Sequence, residues 1–162
     1  MSHRNRILAA ACALAAVLAI PVFGAASAPG QAQAEQVITV FGTRGQFTLP
    51  GAPTVGATFL AGGELADARK APVGRAVSSC TLAEISTAVP PVLTAHCSTV
   101  FRLDGGDIHM SSLREYANGT FKNTTFAVTG GTGEYSAARG QTRAVLADSK
   151  AVVYRFDVTL TD

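Results

Sequence analysis

Short apolar, β-branched runs alternate with polar residues along most of the chain after residue 35, and glycine, proline or aspartate separates the runs. Alternation with a period of two is typical of strands that bury one face, whereas no helical period is found in this part. The pattern predicts eight strands, over residues 36–41, 56–60, 73–85, 92–103, 108–113, 121–128, 135–147 and 150–161.

The short connections between these strands predict an all-β fold with mostly antiparallel pairing. Eight such strands can close into an up-and-down barrel, and closure removes the open edges of the sheet. The interior of a barrel of this size is either packed or holds one small ligand. A two-sheet β-sandwich is the alternative.

A glycine-rich turn stands between two of the predicted strands. Gly130, Gly131 and Gly133 allow a tight turn, and their spacing is similar to a dinucleotide-binding loop. Such a loop needs a further glycine where Ser136 stands, and it needs a following helix and more βα units than residues 134–162 can hold. The sequence therefore predicts no nucleotide site in this loop.

The N-terminus has the pattern of a secretory signal peptide. Arg4 and Arg6 precede an apolar run over residues 7–23, and small residues follow it. Cleavage after Ala34 is favoured over cleavage after Ala28, because Pro29 would directly follow the second cut. The sequence predicts a signal peptide over residues 1–34, a single domain over residues 35–162, and a secreted or cell-envelope protein with no membrane attachment after cleavage.

The charge of the predicted mature domain is balanced. The chain carries 13 basic and 11 acidic residues. Removing Arg4 and Arg6 makes the basic and acidic counts equal. A formally neutral domain gives no indication of a nucleic-acid partner or of an anionic surface as a partner.

Two cysteines remain in the mature part, Cys80 and Cys97. In an oxidising compartment they predict one disulfide. A hairpin centred on residues 88 and 89 would place the two cysteines opposite each other. The expected strand register is therefore compatible with a disulfide between them. Two free buried thiols are the alternative.

Several motifs near the C-terminus carry a family resemblance. The sequence GGTG followed by Tyr135, then Ala138-Arg139-Gly140, and the ending over residues 153–160, resemble plant dirigent proteins and the related allene oxide cyclase-like barrels. The resemblance is specific only from about residue 126 onward, and the Cys80–Cys97 pairing departs from the plant pattern. It implies an eight-stranded barrel, commonly a trimer, with an apolar cavity at one end and no metal or cofactor.

The same resemblance suggests two catalytic candidates. Arg139 stands in the segment that matches Ala-Arg-Gly, and its guanidinium suits a carbonyl or a developing oxyanion. Glu134 follows GGTG, where some dirigent relatives place an acid, and it could donate a proton if burial raised its pKa. A structural ion pair for Arg139 and a solvated turn position for Glu134 are the alternatives.

The candidates for substrate binding are strand arginines and aromatic residues. Arg75 and Arg143 would form a polar cavity if they face inward, and an outward solvated face is the alternative. Tyr154 shares one face of the last strand with Phe156, although the sequence does not say which face points inward. The substrate-binding candidates are Arg75, Phe101, Tyr135, Arg143 and Tyr154.

Other chemistries lack support in the sequence. The mature histidines, His96 and His109, do not have metal-ligand spacing, so no metal site is predicted. No nucleophile elbow is present. Three functions remain open: a cofactor-free cyclase or isomerase, a binding module for a small apolar, phenolic or polyketide-like ligand, and a structural barrel with a filled interior. The first is the leading hypothesis.

Overall fold

The computed structural model describes residues 35–161 of the chain. The predicted signal peptide, residues 1–34, and its cleavage site lie outside the described residues. Within residues 35–161, no helix is both long and apolar enough to cross a membrane.

Nine strands and one short 3-10 turn make up the described fold. The turn is Gly133–Tyr135. The strands are β1 Glu35–Phe47, β2 Thr58–Ala66, β3 Pro72–Ile85, β4 Leu93–Leu103, β5 Gly106–Ala117, β6 Thr120–Phe121, β7 Thr124–Gly131, β8 Arg139–Asp148 and β9 Val153–Thr161.

Eight of these strands close into an antiparallel up-and-down barrel. Each pairs with its neighbour in the order β4, β3, β2, β1, β9, β8, β7, β5, and β5 pairs with β4 to complete the ring. The two-residue β6 lies outside the ring and pairs with the end of β5. The predicted barrel is confirmed, and the sandwich alternative is wrong because the strands form one closed sheet.

Glycines did not end the first two strands where the sequence predicted. β1 continues through Gly42 and Gly45, and β2 continues through Gly63. A Cβ on Gly63 would lie 1.8 Å from the backbone oxygen of Thr43, so glycine is required there by the close approach of β1. Next to this contact, the β1–β2 register shifts between Arg44 and Gln46.

The later strand boundaries also differ from the predicted ones. β5 was predicted to end at residue 113 but runs to Ala117, because Arg114 and Tyr116 continue its inward-facing alternation. β7 begins and ends three residues later than predicted. β8 begins at Arg139, since the residues before it form the 3-10 turn and a bend. β9 begins at Val153 because residues 149–152 form the preceding turn.

The interior contains two apolar clusters. The larger one spans most of the barrel and includes Phe101, Phe126 and Phe156. The smaller one contains Phe59, Leu82 and the two cysteines, together with Tyr116. Phe121 packs against both clusters. Burial of these side chains is the main driving force for closing the sheet.

A disulfide joins Cys80 to Cys97 and confirms the predicted pairing. The two residues are direct partners in the β3–β4 register. Both are buried in the smaller cluster, so the bridge links neighbouring strands from inside the barrel.

Candidate functional site

A cavity lies inside the barrel between the two apolar clusters. Its free volume is about 560 Å³ when the open mouth is counted, which is the size of a small-molecule site. Side chains and backbone from β1 to β5, β7, β9 and the β5–β7 connection line it: Gly42, Thr43, Arg44, Phe47, Ala61, Gly62, Gly63, Ala76, Ser78, Thr99, Phe101, Arg114, Tyr116, Gly119, Phe121, Phe126, Tyr154 and Phe156.

The sequence creates this space by placing small residues opposite large ones. The wall made by β1, β2 and β3 carries Gly42, Ala61, Gly63 and Ala76. The other strands contribute aromatic rings, of which Phe101 and Phe156 meet edge to face with centroids 5.0 Å apart. The interior is therefore packed at both ends and open between them, and the cavity is mostly apolar.

Arg114 is the charged group at the centre of this cavity. Its side chain lies on the inward face of β5 and the residue is only 2% exposed. Nε donates a hydrogen bond to Ser112 Oγ at 2.9 Å, and Nη1 donates one to Ser78 Oγ at 3.2 Å. Nη2 donates to Thr99 Oγ1. All three partners are neutral hydroxyl groups.

Aromatic rings supply the remaining surroundings of Arg114. The guanidinium carbon lies 4.3 Å from the centroid of Phe126 and 5.2 Å from that of Phe121. Such cation–π contacts are favourable, more so when water is excluded. No carboxylate in residues 35–161 forms an ion pair with Arg114. Burial lowers the pKa of Arg114 from its ordinary value, but arginine stays protonated in proteins. The cavity therefore contains an uncompensated positive charge.

The segment after β5 closes one side of the cavity. Tyr154 holds Phe121 at two points, because its hydroxyl accepts from the Phe121 N–H at 2.8 Å and donates to the Phe121 carbonyl at 3.0 Å. The two rings stack with centroids 3.8 Å apart. Arg44 donates to the carbonyl oxygen of Gly119 in the same segment. The lining reaches the protein surface beside the exposed Thr43.

The other titratable groups of the cavity are Arg44 and two tyrosines. Burial raises the pKa of Tyr116 and the pKa of Tyr154 above the ordinary value. Both phenols are therefore neutral at physiological pH. The lining contains no Asp, Glu, His or Lys among the described residues. The cavity can donate hydrogen bonds and orient a ligand, but it lacks a side chain that exchanges protons readily near neutral pH.

The structure places two of the predicted site residues in this cavity. Phe101 and Tyr154 line it. Their role in substrate binding stays a prediction, but the position supports it. The sequence did not determine which face of β9 points into the barrel. In the structure Tyr154 and Phe156 point inward, and Arg155 is exposed.

The other predicted residues lie outside the cavity lining. Glu134 and Tyr135 belong to the 3-10 turn before β8, which bonds to the start of β5 through Gly105, and Arg139 is the first residue of β8. Arg114 lies near the other end of β5. Arg75 and Arg143 are exposed on the outer face of the sheet. Of the two orientations that the sequence left open for these arginines, the inward one is wrong, because strand alternation turns both side chains to solvent. This cavity does not support the assigned roles of these five residues.

Sequence reasoning missed the main polar residues of the site. Arg114 and Tyr116 share a face with Ile108, Met110 and Ser112 at a spacing of two. This alternation is readable in the sequence, and extending the predicted strand by four residues would have placed Arg114 inside. Ser78 and Thr99 are likewise inward positions of β3 and β4.

Metal ligands do not converge in the described part of the chain. Within residues 35–161, no group of three His, Cys, Asp or Glu side chains is placed to hold an ion. His96 lies on the outer face, where its Nε2 is 3.0 Å from Ser111 Oγ.

The fold and cavity define a small antiparallel barrel with a ligand-sized interior space, and solved structures share that fold. The chain is similar to pyocyanin demethylase, with 22% identity, a TM-score of 0.63, and coverage of 78% of this chain and 100% of that one. It is also similar to AbnU, an exo-specific intermolecular Diels-Alderase, with 15% identity, a TM-score of 0.57, and coverage of 80% and 99%. At these identities the likeness shows the fold alone. No family model and no curated protein matches the chain.

Proposed function

We propose that this protein binds a small, largely apolar, reactive molecule in the barrel cavity and steers its cyclisation or coupling without a cofactor. The observation that carries the proposal is the buried guanidinium of Arg114, which faces an apolar cavity without a carboxylate partner. Buried charges in proteins are normally paired. An unpaired one that faces a cavity is best explained by a ligand that supplies the acceptor.

The contents of the cavity favour a reaction that needs positioning rather than proton transfer. The described lining has no carboxylate or imidazole to act as a general base. Ser78 and Thr99 hydrogen-bond to Arg114 and have no base beside them, so neither is activated as a nucleophile. Ring closures and cycloadditions need reactants held in one geometry and a donor for developing negative charge. Arg114 supplies that donor in a water-poor site.

The structural neighbours are named for reactions of small molecules, and one of the two names refers to a cycloaddition. One neighbour is described as an intermolecular Diels-Alderase and the other as a demethylase of pyocyanin. Both names refer to reactions of small molecules. The dirigent and allene oxide cyclase resemblance points the same way and adds phenolic or polyketide-like ligands to the proposal.

The test is a cycloaddition between a conjugated diene and an α,β-unsaturated ketone. The stereoisomer ratio is measured by chiral chromatography with the wild-type protein, with Arg114→Met and with Arg102→Met. Arg102 is the matched control, because it is an exposed strand arginine paired with Asp107. We expect the wild type and Arg102→Met to favour one isomer and Arg114→Met to give the ratio found in buffer. The buffer ratio with all three proteins would contradict a steering role.

A non-catalytic binding protein is the second candidate function. The absence of an acid or base from the described lining favours a binding protein as much as it favours an enzyme that works by positioning. Saturable binding of the diene with an unchanged isomer ratio would assign the protein to this class.

The cellular setting is a further part of the proposal. The signal-peptide pattern supports export with cleavage after Ala34, and the family resemblance supports a homotrimer. Mass spectrometry of the exported protein would test the cleavage site, and sedimentation of the same sample would test the trimer. A mature N-terminus other than Glu35 would contradict cleavage after Ala34. A monomeric mass would contradict the homotrimer.

A further inference from the structure

The hydrogen bonds of Arg114 leave part of its donor capacity free. A guanidinium carries five N–H groups. Three are donated to Ser112, Ser78 and Thr99, which leaves one on Nη1 and one on Nη2. Ser78 Oγ and Thr99 Oγ1 lie 2.8 Å apart, so they fill the parallel fork of Nη1 and Nη2, and the two remaining N–H groups point in different directions. The neutral Tyr116 phenol also stands close to the guanidinium and can accept from one of them, whereas the rings of Phe121 and Phe126 offer no oxygen. At least one N–H therefore remains for a ligand.

The charge of the cavity favours a particular kind of partner. Arg44, half-buried in β1, is a second guanidinium in the lining, and its described hydrogen-bond partner is the neutral carbonyl of Gly119. No acidic residue among the described lining positions balances the two arginines. In a water-poor site these charges are poorly screened, so an anion is stabilised there relative to a neutral molecule.

The lining of the cavity restricts the anion further. Seven aromatic side chains line it, among them Phe101, Phe121 and Tyr154. A flat conjugated body packs well against such rings. At its charged end, a carboxylate oxygen can accept a charge-assisted hydrogen bond from a guanidinium.

We propose that the ligand of this cavity is a small, planar, conjugated carboxylate, one oxygen of which accepts a hydrogen bond from a remaining N–H group of Arg114. This inference rests on the proposed function, since it presumes that the cavity binds a small molecule. It adds the charge and the chemical class of that molecule. It also names Arg44 as a second specificity residue, which favours anions at the side of the cavity near Gly119.

The test compares two probes of nearly the same shape and different charge, trans-cinnamate and trans-cinnamamide. Calorimetric titration of the full protein measures both dissociation constants at pH 7.5. We expect the wild type to bind cinnamate at least about 10-fold more tightly than cinnamamide, because hydrogen bonds to an ionised acceptor are roughly twice as strong as neutral ones. Arg114→Met should remove this preference, Arg44→Met should reduce it, and Arg102→Met should retain it.

The outcomes separate this inference from the function on which it rests. Equal binding of cinnamate and cinnamamide by the wild type would overturn the carboxylate assignment and leave the small-molecule cavity standing. Binding of neither probe would overturn both. The comparison within the wild type does not depend on any variant.

Discussion

The guanidinium carbon of Arg114 lies 4.3 Å from the centroid of the Phe126 ring, inside a barrel where no described carboxylate pairs with it. A residue kept for stability would not be expected in this position, because desolvating a charge without a counter-ion is costly. The arrangement indicates that Arg114 serves a ligand.

Replacing Arg114 with methionine should therefore not destabilise the fold. Methionine keeps an unbranched side chain of similar length, and Ser78 and Thr99 still hydrogen-bond to each other at 2.8 Å. Replacing a buried ion pair by apolar side chains is often neutral or stabilising by about 1–4 kcal/mol, and the change at Arg114 would leave no described ion-pair partner buried alone. We expect the free energy of unfolding of Arg114→Met, measured in urea, to equal that of the wild type or to exceed it within this range.

Arg102→Met serves as the control for the same measurement. Arg102 forms an exposed pair with Asp107, and exposed pairs contribute about 0–1 kcal/mol. A loss of about 3–5 kcal/mol in Arg114→Met alone would identify the guanidinium as a structural element and would contradict its assignment to a ligand.

Tyr154 should control the opening of the segment that carries Phe121. Tyr154→Phe removes both hydrogen bonds to the Phe121 backbone but keeps the stacked ring. At about 0.5–1.5 kcal/mol per net hydrogen bond, we expect a loss of about 1–3 kcal/mol. The Phe121 amide should also exchange its hydrogen faster than in the wild type. Tyr135→Phe, at the other end of β5, should leave that exchange rate unchanged, and equal rates in wild type and Tyr154→Phe would exclude this role.

The Cys80–Cys97 bridge should contribute measurably to stability. It closes a segment with a sequence separation of 17, and loops of this size correspond to about 3 kcal/mol in the chain-entropy account. The double variant Cys80→Ala with Cys97→Ala should lower the free energy of unfolding by about this amount. Treatment of the wild type with a reductant should produce the same loss, and no effect on the double variant is expected. Equal stability of the oxidised wild type and the double variant would be inconsistent with the bridge.

The barrel should lose stability at alkaline pH. Burial raises the pKa of Tyr116 and of Tyr154 from the ordinary 10.0. The unfolded chain therefore releases these protons first, and above about pH 10 it binds fewer protons than the folded chain. Stability is fully present below that pH and falls as the pH rises through the folded-state pKa values.

Urea unfolding at intervals between pH 8 and pH 11 measures this dependence. Tyr116→Phe should show a shallower decline above pH 10, because one of the two buried phenols is gone. A decline as steep as in the wild type would show that the Tyr116 phenol is not the group responsible.

The barrel itself could be predicted from the sequence, because closure depends on alternation and short turns that are local in the chain. The positions of Cys80 and Cys97 on either side of a predicted turn were enough to indicate the register of one hairpin. The predicted strand ends were wrong where one residue type occurs in two different structural settings. Gly63 permits a close strand approach instead of a turn, and Arg114 continues an inward face although a charged residue usually indicates solvent.

The candidate site was harder to predict than the fold. Its polar partners come from β3, β4 and β5, and only the closed sheet brings Ser78, Thr99 and Arg114 together. The motif around Arg139 resembles a family signature, yet the turn that contains it lies at the opposite end of β5. The family resemblance agrees with the observed barrel architecture, whereas the roles it suggests for Glu134 and Arg139 stay predictions, since both residues lie outside this cavity.

The central claim is that a ligand in the barrel cavity accepts hydrogen bonds from Arg114. The most direct measurement is nitrogen-15 NMR of the arginine Nε–H groups during a titration with trans-cinnamate. We predict that the Arg114 resonance shifts with the dissociation constant found by calorimetry, while the Arg102 resonance does not move. Saturable binding of cinnamate with an unchanged Arg114 resonance would contradict the claim.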